Sequence, residues 1–127
     1  MANNEKKVLI VEDHGPIRQA LAEKLVHEGM VALEAKDGEE GLATALKEKP
    51  DLILLDIIMP RMGGMAMLEE LRKDDWGKKV PVIILSNLSP DDKIMREVVE
   101  TEPVYYLVKA DWKLEDVVAK VKEVIAN

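Results

Sequence analysis

Five short apolar runs punctuate the chain at near-regular intervals: "KVLIVE" (7–12), "MVALEA" (30–35), "DLILLD" (51–56), "VPVIILS" (80–86) and "VYYLVK" (104–109). Each is followed by a longer segment with helical spacing of its apolar residues, so the chain reads as five successive βα units. Strands joined through helices run parallel, and a parallel sheet must be covered on both faces. The expected class is therefore α/β, a doubly wound parallel sheet.

The helical segments carry their own start and stop signals. "GPIRQALAEKLVHEG" places Ile17, Leu21, Leu25 and Val26 for burial and is expected to stop at Gly29. Asp37 precedes "GEEGLATALKEK" as an N-cap, with Glu40 three residues on. In "MAMLEELRK" the residues Met67, Leu68 and Leu71 form a buried stripe. "SPDDKIMREVVE" opens with Ser89 as N-cap and Pro90 at the first helical position. "WKLEDVVAKVKEVIAN" turns Val117, Val118, Val121 and Ile125 inward. Trp76 and Trp112 are expected to cap apolar layers, and the seven Met to fill gaps in core and loops.

Composition narrows the chemistry. At 127 residues one domain is expected, with a polar amino-terminal tail over 1–6. The chain has no Cys, which removes disulfides, thiolate metal sites and thiol nucleophiles, and His14 and His27 alone make a multi-His zinc site a poor fit. A net charge of -7 argues against binding nucleic acid or an anionic membrane. No apolar run is long enough to span a bilayer, and "MANNEKK" resembles no secretory or transit signal, so a cytoplasmic protein is expected. Chemistry is left to carboxylates, hydroxyls and Lys.

In doubly wound sheets the site lies beyond the carboxyl ends of the strands, where strand order reverses. Those ends carry Glu12 and Asp13, then Asp56, Ser86 and Lys109. Taken singly each has a bland reading: a strand-terminal Asp is often a helix cap, a Ser a turn hydroxyl, a Lys a surface charge. Their joint placement at four strand ends argues otherwise. Three carboxylates brought together repel one another and are unfavourable as packing unless a cation neutralises them. Oxygen ligands suit Mg²⁺, which keeps several waters and binds phosphate oxygens through the rest. Lys109 and Ser86 would serve a phosphoryl group as donors, and a carboxylate such as Asp56 can itself attack phosphorus to form an acyl phosphate. His14, beside the acids, is either a helix-start residue or a contact for a phosphodonor.

At these residues the chain resembles the response-regulator receiver domain of bacterial two-component signalling (CheY-like), over almost its whole length. "VLIVED" carries the acidic pair, "LILLDIIMPRMGG" the phosphoacceptor loop, "VIILSN" the hydroxyl and "YYLVK" the Lys. The resemblance implies a single receiver domain of flavodoxin-like (βα)5 fold, strand order 2-1-3-4-5. It makes Asp56 the phosphoacceptor and Asp13 a direct Mg²⁺ ligand, with Mn²⁺ as a substitute. Asp56 and the Ile58 backbone carbonyl would complete the protein ligands, and Glu12 would act mainly through metal-bound water. Ser86, Lys109 and the Asn87 backbone would hold the phosphoryl oxygens, and Tyr106 would change rotamer as Ser86 moves. The implied partners are a sensor histidine kinase or a histidine phosphotransfer protein.

The sequence also departs from the family's pattern. Ala110 stands where Pro, reached through a cis bond, is usual after the Lys; a cis bond before a non-proline costs about 2.5–4 kcal/mol, so this bond is trans or held by tertiary strain. Asn87 replaces a usually small residue and either narrows access to Asp56 or hydrogen-bonds the phosphoryl group. Ile58 and Leu88 flank the approach of a hydrolytic water and are both apolar, so autodephosphorylation is expected to be slow. The chain is not expected to be a dedicated enzyme; it would catalyse only its own phosphotransfer and that slow hydrolysis. With Asn127 closing the final helical segment, output is expected from the surface of the 89–100 helix, the fifth strand and the last helix, toward a protein partner or a second copy. The alternatives are a phosphorelay intermediate without conformational output, a degenerate scaffold, and an aspartate-nucleophile phosphohydrolase of the haloacid dehalogenase type. The last needs a second Asp two residues after the nucleophile, where this chain has Ile58; a scaffold would be expected to have lost the Asp, an acid or the Lys, and none is lost.

Overall fold

A computed structural model describes residues 5–56, 62–86, 105–108 and 113–126, with Ser86 and 105–108 placed by their backbone. Five strands, β1 (Lys7–Val11), β2 (Val31–Ala35), β3 (Leu52–Asp56), β4 (Val82–Ser86) and β5 (Tyr105–Val108), form one parallel sheet in the order β2-β1-β3-β4-β5. The described helices are α1 (Gly15–His27), α2 (Gly38–Glu48), α3 (Gly64–Leu71) and α4 (Leu114–Ala126). The helix expected over 89–100 lies outside the described residues, as does Trp112.

The alternation of side chains along each strand divides the core into two layers. Leu9 and Val11, Ile53 and Leu55, and Val82 and Ile84 pack with Ala45 of α2 and Met67, Leu68 and Leu71 of α3. Met62, Met65 and Trp76 lie against the same layer, the filling and capping roles expected of them. On the opposite face Val8, Ile10, Leu52, Leu54, Ile83 and Leu85 pack with α1 and α4. Because strands β1, β3 and β4 are buried on both faces, they read in the sequence as continuous apolar runs.

The caps follow the expected chemistry. Glu40 N–H donates to Asp37 Oδ1 at 2.8 Å, so Asp37 caps α2, and Glu40 Oε1 accepts from the N–H of Lys36, the residue before the cap, at 3.0 Å. α1 ends in a Schellman arrangement: Gly29 N–H donates to Val26 O and Met30 N–H to Leu25 O, with Gly29 at φ +90°. One residue expected to face inward does not: Val26 is 58% exposed. Leu21, Ala22 and Leu25 make the stripe instead, and Val26, about 140° around the helix from Leu21, falls outside the arc of about 100° that these three cover. Arg72 closes the connection from α3 to β4, its Nη1 donating to Gly77 O at 2.7 Å and Val80 O at 2.8 Å. No described helix is long and apolar enough to cross a membrane.

Candidate functional site

β1 is flanked by β2 on one side and β3 on the other, so strand order reverses between β1 and β3. Helices on either side of that point leave in opposite directions, which opens a crevice at the carboxyl ends of these two strands. Val11 pairs in register with Leu55, so Glu12 and Asp13 leave β1 beside Asp56, the last residue of β3.

Glu12, Asp13 and Asp56 each bring one carboxylate oxygen to within 4.8 Å of the others. Glu12 is 2% and Asp56 6% exposed, whereas Asp13 faces solvent. The cluster thus combines two buried carboxyl groups with one that is exposed to solvent. The donor set is all oxygen, and the spread is one that a divalent cation closes by small side-chain rotations or through a bridging water. Such a site fits Mg²⁺ better than a softer metal.

The turn between β1 and α1 is fixed by its own polar groups. His14 N–H donates to Glu12 Oε2 at 3.2 Å, and His14 Nδ1 accepts from Ile17 N–H at 3.3 Å. His14 is thus the N-cap of α1, the helix-start role, with its backbone tied to one of the acids. Pro16 follows near the start of the helix, where its missing N–H leaves no bond unmade.

A profile of the family described as response regulator receiver domain matches residues 8–122. The chain belongs to that family. This receiver is 39% identical over 88 residues to a probable transcriptional regulator, ycf27, of Pyropia yezoensis, a match covering 69% of this chain and 35% of that protein. The chain thus spans about a third of that relative's length. It is 36% identical over 89 residues to protein PilH of Pseudomonas aeruginosa, covering 69% of this chain and 74% of PilH. Among solved structures, chemotaxis protein CheY4 of Vibrio cholerae superposes with a TM-score of 0.86 at 30% identity, covering 94% of this chain and 98% of that one.

Of the site residues expected from the receiver's sequence, the fold brings Glu12, Asp13 and Asp56 together. Ser86 ends β4, next to β5, where Tyr106 pairs in register with Ile84 and Val108 with Ser86. Ile58, Asn87, Leu88, Lys109 and the Lys109–Ala110 bond lie outside the described residues. Sequence reasoning missed Arg18 and Glu34, whose contacts reach the acidic turn. The available signal was a cation near the start of a helix, where the dipole favours anions, a placement that an acidic or carbonyl partner offsets.

Proposed function

We propose that the receiver accepts a phosphoryl group on Asp56 from the phosphohistidine of a sensor histidine kinase or of a histidine phosphotransfer protein. The observation that carries this reading is the convergence of Glu12, Asp13 and Asp56 within 4.8 Å at the strand-order reversal, two of the three acids being buried. An Asp56 carboxylate oxygen forms the new O–P bond while the donor's P–N bond breaks, and the departing imidazole nitrogen keeps the electron pair and is protonated. Asp13, Asp56 and the Ile58 carbonyl would hold Mg²⁺ or Mn²⁺, with Glu12 acting through a metal-bound water. The bound ion would offset the repulsion between carboxylate and phosphoryl oxygens. Ser86 donates its hydroxyl, Asn87 its backbone N–H and Lys109 its ammonium to the transferred oxygens, holding the group in line.

Adding roughly two negative charges draws Ser86 toward the phosphoryl group and frees space that Tyr106 takes up. The surface that includes β5 and the last helix then favours a protein partner or a second copy of the chain. At a net charge of -7 neither nucleic acid nor an anionic membrane is a suitable direct target.

Intact-mass spectrometry after incubation with acetyl phosphate tests the reading. One phosphoryl adduct is expected with Mg²⁺ and none when the metal is chelated; an adduct of equal yield without divalent cation would refute the metal-assisted mechanism.

A further inference from the structure

Arg18 occupies the fourth position of α1, with its side chain only 18% exposed. A cation there opposes the helix dipole, yet its guanidinium is used in two directions. Nε donates to Glu34 Oε1 at 3.0 Å, and Nη1 donates to the Glu12 carbonyl oxygen at 2.9 Å. That carbonyl belongs to the peptide joining Glu12 to Asp13, so its orientation sets the backbone from which the Asp13 carboxylate projects. The other end of Glu12 is held as well, its N–H donating to Ala35 O at 3.0 Å. Glu34 and Ala35 both belong to β2, in register with Ile10 and Val11. The end of β2 therefore holds Glu12 at both of its backbone groups, directly at the nitrogen and through Arg18 at the oxygen.

We propose that Arg18 is a positioning residue for the acidic site, fixing the Glu12–Asp13 peptide, and that Glu34 locks the guanidinium in place. The proposal rests on the reading of Glu12, Asp13 and Asp56 as a divalent-cation site. Removing a partner that orients a metal ligand typically costs about 10–100-fold in affinity, since a loosened ligand must be ordered when the ion binds. A planar guanidinium can satisfy a carboxylate on one edge and a carbonyl with a neighbouring N–H, whereas the point charge of Lys cannot span both.

Calorimetric titration of the full chain with Mg²⁺ tests this. Arg18→Met is expected to weaken binding by about tenfold or more, and Arg18→Lys not to restore it. Glu34→Ala, which leaves Arg18 in the chain, is expected to give a smaller loss, and Arg18→Met combined with Glu34→Ala to lose no more than Arg18→Met alone, because the two act as one unit. Arg72→Met is the control for general destabilisation: it should lower the melting temperature and leave Mg²⁺ affinity unchanged. Wild-type affinity in both Arg18→Met and Glu34→Ala overturns the positioning role alone. A comparable loss in Arg72→Met overturns it too, since the effect would then follow stability. Failure of the wild type to bind Mg²⁺ overturns the cation-site reading and the proposal with it.

Discussion

The backbone N–H of Gly38 donates to the carbonyl oxygen of Met62 at 3.0 Å, and a Cβ on Gly38 would stand 2.2 Å from that same oxygen. The first turn of α2 thus meets the chain at Met62, ahead of α3, and a methyl group has no room between them. Gly38→Ala is expected to destabilise the fold by about 1–3 kcal/mol, the usual effect of overpacking against backbone. Gly15→Ala, where the nearest atom beyond the helix backbone would be Arg18 Nη2 at 3.8 Å, should stay within about 0.5 kcal/mol of wild type. Urea unfolding of the two variants decides it, equal stabilities counting against the contact.

Much of this architecture is legible in the sequence. β1, β3 and β4 announce themselves because burial on both faces leaves uninterrupted apolar runs, and Asp56 stands out as the charge that ends one of them. Asp37 and Gly29 are readable as caps because their roles are local. Arg18, Glu34 and Gly38 are not, since their contacts join different βα units and depend on strand register. Val26 reads as inward in the sequence because an apolar residue beside a buried stripe looks like part of it until the helix phase is fixed.

The acidic cluster makes a prediction about stability. Asp13→Asn removes one of three mutually repelling charges and should raise metal-free stability by about 1 kcal/mol, less at high salt. Mg²⁺ should stabilise the wild type, by about 2.7 kcal/mol at about 100 times its Kd, and the Asp13→Asn variant much less. Thermal melts with and without Mg²⁺ measure both effects; a wild-type melting temperature unmoved by millimolar Mg²⁺ would contradict the assignment.

Acid sensitivity has a contributor remote from the site. Lys122 of α4 hydrogen-bonds to and attracts Glu28, the C-cap of α1, and holds its carboxyl below the ordinary glutamate range. A carboxyl lowered in the folded state adds stability above its unfolded pKa and loses it as pH falls through the folded value. Glu28→Gln should therefore show a smaller loss of melting temperature than wild type between roughly pH 6 and roughly pH 3. The effect is small because Lys122 is exposed and Glu28 only half-buried, so solvent screens the pair; identical pH profiles would show that it contributes nothing.

The lifetime of the phosphorylated state is expected to depend on Ile58 and Leu88. Apolar side chains at these positions cannot orient a water by hydrogen bonding. Replacing them together, as Ile58→Asn with Leu88→Lys, should speed dephosphorylation by about tenfold or more. Decay followed by intact mass after removal of the phosphodonor gives the comparison, and equal rates would remove the argument.

Asp56 is expected to carry the phosphoryl group as an acyl phosphate. Borohydride reduces an aspartyl phosphate to homoserine and leaves a phosphate ester intact, so reduction after treatment with acetyl phosphate and Mg²⁺ marks the acceptor. Peptide mass spectrometry should find homoserine at position 56 in the wild type and none in Asp56→Asn; homoserine at another residue, or a phosphoryl group still carried by Asp56→Asn, would contradict it.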